Sequence, residues 1–210
     1  MIKDLVFDFG GVLVEIDTHK AKREFAALGL ENPDEYLNSY RQTGAFFALE
    51  NGDITGDDFI KELSLLCGRT ITPQQAHAAW MGFVVKVNTE YLDFLQLLRP
   101  HYRLSVLSNT NPFLQSWARS KEFTPQGKSL DDYFDNLFLS YKMNCSKPGD
   151  DIYLKMLSDG RMKPEETLFI DDGEKNIETA SRLGINVLHV RNGEDWRPLL
   201  KNILSNDKQI

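Results

Sequence analysis

The stretch Leu5-Val6-Phe7-Asp8-Phe9-Gly10-Gly11-Val12 joins a short apolar run to a carboxylate and two glycines. Three consecutive large apolar residues suit a strand buried on both faces. An aspartate directly after such a strand can project into a crevice, and the glycines let the backbone turn sharply beneath it. The same residues also suit an ordinary Asp-containing turn. What the rest of the chain places beside them decides between the two.

Four further apolar runs repeat the pattern: Leu104-Ser105-Val106-Leu107, Leu137-Phe138-Leu139, Leu168-Phe169-Ile170 and Val187-Leu188-His189-Val190. Helix-period segments separate them. Tyr91, Phe94, Leu95 and Leu98 share one helical face before Pro100, which stops the helix. Ile177, Ala180 and Leu183 form a second stripe that ends at Gly184. Trp196, Leu199, Leu200 and Ile203 mark a last packing helix, with Ser205 to Ile210 expected to fray. Continuous apolar strands alternating with helices predict an α/β fold, a Rossmann-like parallel sheet with helices on both faces.

Between the first strand and the second, residues 15–86 carry no convincing strand signal and read as all-helical. Phe25 and Leu28 lie at helix spacing before Gly29, and Asn32-Pro33-Asp34-Glu35, Thr55 with Asp58, and Thr72-Pro73 with Gln75 all look like helix starts. Four helices inserted after one strand are too many for a simple crossover. They predict a helical-bundle cap over residues 15–86, set on a core of residues 1–14 and 87–210 at the carboxyl edge where open α/β sheets bind ligands.

The 210 residues are 41% hydrophobic and carry a formal net charge of −7, with a pI near 5.1. An acidic chain of ordinary apolar content is expected to avoid nucleic acid and anionic membrane surfaces. Cys67 and Cys145 have no metal-ligand spacing, and no apolar run is long enough to span a bilayer. A cytoplasmic protein acting on small molecules, as a monomer or weak homodimer, is the expectation.

Four clusters fall at carboxyl ends of predicted strands. Asp8 is the first. Ser108-Asn109-Thr110 is the second: its hydroxyls and amide could bind phosphoryl oxygens, and they equally suit a cap for the helix that starts near Pro112. Lys147, in Ser146-Lys147-Pro148, could neutralise a nucleophile and a phosphate, although most lysines are simply exposed. Asp171-Asp172-Gly173 with Asn176 places adjacent carboxylates where a cation would relieve their repulsion, and hard oxygen donors suit Mg²⁺; the same acids also suit the start of a helix.

These four motifs, in this order and around an inserted helical segment, resemble the haloacid dehalogenase (HAD) superfamily, whose members are mostly phosphatases. The resemblance covers the whole chain. It implies that Asp8 is a nucleophile, that Ser108, Asn109 and Lys147 bind the phosphate, and that Mg²⁺ is held by Asp8, the Gly10 carbonyl and Asp172. Asp171 is either a further ligand or a group that orients one. Glu50-Asn51-Gly52-Asp53-Ile54-Thr55 looks like a cap loop of sugar-phosphate phosphatases, making Glu50 and Asn51 expected substrate contacts. Many relatives carry a second aspartate two residues after the nucleophile as acid and base. Here Gly10 stands in that place, a feature similar to a branch resembling glucose 1-phosphate phosphatases.

The expected activity is therefore Mg²⁺-dependent hydrolysis of small phosphate monoesters through an aspartyl-phosphate on Asp8. Without an acid at position 10, leaving-group protonation should suffer by about 10²–10⁴-fold unless the leaving group is good or the cap supplies the proton. That favours a sugar 1-phosphate. A phosphomutase or phosphotransferase would need an acid–base group to activate the accepting hydroxyl. A 2-haloacid dehalogenase would not need Asp171-Asp172, and a non-catalytic binder would not need Asp8 with Lys147. Glu15, Asp17 and His19 read as a polar linker that could reach the site. Phe46, Phe47, Trp80 and Trp117 read as packing residues.

Overall fold

All five apolar runs enter one parallel sheet, in the order Asn136–Leu139, Arg103–Ser108, Asp4–Phe7, Thr167–Asp171 and Asn186–His189. The computed structural model describes residues 1–38 and 42–207. In chain order the chain forms β1 (Asp4–Phe7), β2 (Val14–Ile16), α1 (Thr18–Ala27), α2 (Pro33–Tyr36), α3 (Gly44–Asn51), α4 (Gly56–Leu66), α5 (Pro73–Met81) and β3 (Val84–Val87). Then follow α6 (Thr89–Leu98), β4 (Arg103–Ser108), α7 (Pro112–Ala118), β5 (Asn136–Leu139), α8 (Ser140–Met143) and α9 (Asp150–Gly160). β6 (Thr167–Asp171), α10 (Glu174–Arg182), β7 (Asn186–His189) and α11 (Arg197–Asp207) complete it.

Strand side chains alternate between faces, and the packing follows that rule. Leu5, Phe7, Leu104, Val106, Leu168 and Ile170 join one cluster with Tyr91 and Leu95 of α6 and Leu200 of α11. Val6, Leu107 and Phe169 point the other way, against Ile152, Tyr153 and Met156 of α9 and Ala180 of α10. Helices therefore cover both faces, and burial of both faces explains why each strand reads as a continuous apolar run. β1 lies between β4 and β6. The connections leave it toward opposite sides of the sheet, which opens a crevice at its carboxyl end.

The helices α1–α5 gather around a separate apolar cluster of Phe25, Phe46, Phe59, Leu63 and Trp80. Phe46 is wholly buried there, its ring 4.9 Å from that of Phe25 and 5.0 Å from that of Phe59. Trp117 packs against Phe9 and Phe123. Both follow the sequence expectation.

Several local expectations need correction. Residues 15–86 are not purely helical: β2 and β3 pair antiparallel at the two ends of the inserted segment. Among the described residues the segment holds five helices rather than four, α2 being a single turn. Asn32 does not cap α2 with its side chain but adopts φ +49°. Thr55 and Thr72 do accept hydrogen bonds from Asp58 N and Gln75 N, as capping residues do. Leu199 faces solvent at 41% exposure, and Leu200 and Leu204 are the buried residues of α11. That helix continues to Asp207, and the rest of the segment expected to fray, residues 208–210, lies outside the described residues. No helix among the described residues is long and apolar enough to cross a membrane.

Candidate functional site

Asp8, Ser108, Asn109, Lys147 and Asp172 line one cavity at the carboxyl edge of the sheet. Asp8 follows β1 and its backbone N–H donates to Ile170 O at 2.8 Å, which continues the ladder with β6. The chain then turns back on itself: Gly11 N and Val14 N donate to Val14 O and Phe9 O at 2.8 and 2.9 Å. Gly11 sits at φ +79°, where a Cβ would lie 2.1 Å from Asp172 Oδ2. Only glycine permits the approach of these two loops. Gly10 is different, because a Cβ there would meet nothing closer than Ile16 Cγ2 at 3.5 Å. The indole N–H of Trp196 donates to Val12 O at 2.9 Å and ties the turn to the C-terminal segment.

Lys147 is 2% exposed. Its Nζ lies 2.9 Å from Asp8 Oδ1 and 2.6 Å from Asp171 Oδ2, with the Phe169 ring 5.4 Å away. Burial works against its charge, but Asp171 and Asp8 outweigh that and hold its pKa above the usual lysine value. Its position is fixed by Asn109, whose carboxamide accepts from Lys147 N at 2.8 Å and donates to Lys147 O at 2.9 Å. The Asn109 side chain thus clamps the lysine segment. Ser108 is buried at the end of β4.

Asp171 is wholly buried and fully engaged: Oδ2 accepts from Lys147, and Oδ1 from Gly173 N at 2.7 Å and Asn176 Nδ2 at 2.9 Å. Asp172 is less buried and lines the cavity. Carboxylate oxygens of Asp8, Asp171 and Asp172 lie within 4.8 Å of one another. Burial is the main reason that the Asp8 pKa stands well above the carboxylate range. Lys147 opposes the shift, while Asp171 and Asp172 add to it. Asp172 is raised to about 6, by burial first and then by Asp171. One ammonium among three crowded carboxylates leaves negative charge uncompensated, and an all-oxygen donor set of this kind fits a hard dication such as Mg²⁺.

The inserted segment closes the other side of the cavity. Trp80, Phe83 and Val84 give it an apolar wall, and Asn38, Gln42 and Glu50 give it polar groups. Glu50 is 8% exposed and its pKa is raised to about 8 by burial. Asn51, by contrast, turns to Asp53 at 2.9 Å and does not reach the cavity. Glu15, Asp17 and His19 do not line it either; Asp17 caps α1 by accepting from Lys20 N at 3.0 Å. Gln42 and Trp80 escaped sequence reasoning as site residues. One is an unremarked polar residue in a helical segment, and the other also packs in that segment's core, so neither carries a local signal.

A family model for haloacid dehalogenase-like hydrolases matches residues 2–184. A D-ribitol-5-phosphate phosphatase from Bacteroides thetaiotaomicron is 47% identical over 205 residues, covering 98% of this chain and 100% of that protein. Among solved structures, a HAD-like family hydrolase from Porphyromonas gingivalis superposes with TM-score 0.93 at 43% identity, covering 97% of this chain and 98% of that one. A HAD family enzyme from Bacteroides thetaiotaomicron, solved with magnesium and inorganic phosphate, gives TM-score 0.87 at 35% identity, covering 95% and 99%.

Proposed function

Since the chain belongs to the haloacid dehalogenase-like hydrolase family, we propose that it removes phosphate from a small sugar or sugar-alcohol phosphate with Mg²⁺, through an aspartyl-phosphate on Asp8. The observation that carries this reading is the meeting of Asp8 after β1, Asp172 after β6 and Lys147 from the loop between α8 and α9 around one cavity. The substrate class is supported by the relative that hydrolyses D-ribitol 5-phosphate. Magnesium is supported by the acidic donor set and by the related enzyme solved with that ion.

In this reading residues 1–14 and 87–210 are the catalytic core and residues 15–86 a helical cap that closes over it. The β2–β3 ribbon lies where the chain crosses between the two. Asp8 is poised as nucleophile because Oδ1 is held by both Lys147 and the Phe9 N–H, at 2.6 Å, which stops the carboxylate from rotating. It attacks phosphorus in line, and water later releases phosphate from the aspartyl ester. Lys147 and Ser108 stabilise the charge on the transferring group, the work that dominates phosphoryl transfer. When bound, Mg²⁺ would be held by Asp8, the Gly10 carbonyl and Asp172 and would offset the charge on the phosphate oxygens. Asp171 has its oxygens engaged by Lys147, Gly173 and Asn176, so it orients rather than ligates.

A second reading of the substrate, an anomeric sugar 1-phosphate, is favoured by Gly10, since such an ester leaves without much help from an acid. Release of phosphate from D-ribitol 5-phosphate and from glucose 1-phosphate, with Mg²⁺ and with EDTA, tests both. Activity should require Mg²⁺ and vanish in Asp8→Asn. Metal-independent turnover, or an active Asp8→Asn variant, would overturn the proposal.

A further inference from the structure

Gly10 supplies no acid, and the titratable groups that the core contributes to the cavity are already engaged. Asp8 is the nucleophile, Lys147 is pinned between two carboxylates, and Asp172 belongs to the metal site. Among the described residues lining the cavity, one titratable side chain comes from the inserted segment: Glu50, in the last turn of α3. Resting on the function proposed above, we propose that Glu50 is the acid–base group of the reaction, protonating the departing alkoxide and then accepting a proton from the attacking water.

The backbone around Glu50 supports this. The Ser140 hydroxyl donates to Glu50 O at 2.5 Å and accepts from Thr110 N at 3.0 Å. Glu50 is thereby linked to the segment that directly follows Ser108 and Asn109. Two residues on, Asn144 Nδ2 donates to Gly52 O at 2.9 Å. Gly52 takes φ +78°, and a Cβ there would lie 2.2 Å from Tyr141 O. That close approach seats the end of α3 against α8. The end of the helix is therefore fastened to the core at the acid and two residues beyond it, as a proton-transferring group needs.

The side chain suits the task. It is buried, and the buried Asn111 carboxamide beside it, with Nδ2 otherwise unpartnered, does not close a full hydrogen bond to it. The charged groups that share its cavity are Asp8, Lys147 and Asp172, all on the core side. Burial keeps the carboxyl protonated at neutral pH, the form an acid must hold before ester cleavage.

The steps balance. As Asp8 attacks, the bond from phosphorus to the ester oxygen breaks, and that oxygen takes the Glu50 proton to leave as an alcohol. Water then attacks phosphorus and gives its proton to the Glu50 carboxylate. The bond from phosphorus to Asp8 breaks, phosphate departs, and Glu50 is again protonated.

The test is single-turnover cleavage by the Mg²⁺-loaded full chain, with enzyme in excess, of two esters. p-Nitrophenyl phosphate releases a phenolate that leaves without a proton; the alcohol oxygen of D-ribitol 5-phosphate needs one to leave. In Glu50→Gln, which keeps the shape of the protonated acid, the ratio of ribitol ester to aryl ester cleavage should fall about 10²–10⁴-fold. Glu50→Asp should recover part of that loss. An unchanged ratio, whether both esters slow together or neither slows, would overturn the assignment. Failure of the underlying reading looks different: wild-type protein would cleave neither ester with Mg²⁺, or Asp8→Asn would still cleave the aryl ester.

Discussion

The Lys147 ammonium lies 2.9 Å from the Asp8 carboxylate, and both groups are buried. The same ammonium holds Asp171 at 2.6 Å, so one cation serves two buried acids. A buried charge pair is worth little beside a well-packed apolar substitute, but removing one partner strands the other.

Lys147→Met should therefore damage both stability and turnover. Stranding Asp8 and Asp171 is expected to cost about 3 kcal/mol in metal-free protein, read from urea denaturation. Turnover should fall by more than about 10²-fold, because the phosphoryl oxygens lose a fixed positive charge. A variant that unfolds at the wild-type urea midpoint would show that the pair contributes nothing net.

Gly11→Ala tests how the two loops meet. The new methyl group would need φ near +79° and would collide with the Asp172 carboxylate. Left-handed backbone costs an ordinary residue about 1–2 kcal/mol. Displacing the Asp172 carboxylate, proposed above to hold Mg²⁺, should weaken Mg²⁺ binding about 10–100-fold, the usual consequence of losing a group that positions a ligand. Magnesium titration by calorimetry beside thermal melts separates the two effects; unchanged affinity would mean that Asp172 is not held by this contact.

The parallel sheet was legible because β1, β4, β5, β6 and β7 are buried on both faces and read as apolar runs. The clusters at Asp8, Ser108-Asn109 and Asp171-Asp172 were legible for a related reason, since they sit where β1, β4 and β6 end and such a sheet opens its crevice; Lys147 was expected at a strand end but lies between α8 and α9. The β2–β3 ribbon was not legible. Its strands are three and four residues long and pair across the whole inserted segment, so no local periodicity betrays them. Leu199 fits an apolar helical stripe as well as Leu204 does, and only the docking angle of α11 decides which is buried. The burial of Glu50 was equally hidden, since it depends on Ser140 and Asn144, some ninety residues away, meeting the end of α3. The resemblance could mark Glu50 as a contact, but not as an acid kept out of water.

Glu50 also makes stability depend on pH. Its folded pKa, about 8, stands above the ordinary value of 4.5 because burial disfavours the anion. The folded state therefore holds a proton that the unfolded chain gives up. The resulting stabilisation is fully present below about 4.5 and is lost as pH rises through about 8. Glu50→Gln removes this dependence. The melting temperature of the variant minus that of wild type should rise between about pH 5 and pH 8 and level off above that. A flat difference would mean that the carboxyl is well solvated.

Gly10 and Glu50 should be able to exchange roles. A side chain at position 10 meets Ile16 only at ordinary contact distance, and the backbone there is not left-handed, so Gly10→Asp is sterically acceptable. The new carboxyl would stand two residues from Asp8, inside the same cavity. In wild-type protein the change should favour poor leaving groups over good ones, because it adds a second proton source. In the Glu50→Gln background its effect should be larger, recovering at least about 10-fold of the lost D-ribitol 5-phosphate cleavage while leaving p-nitrophenyl phosphate nearly unaffected. Single-turnover rates for the two single variants and the double variant form a complete cycle. If Gly10→Asp acted identically with and without Glu50, the two positions would be independent, and the proton would have to come from a third group.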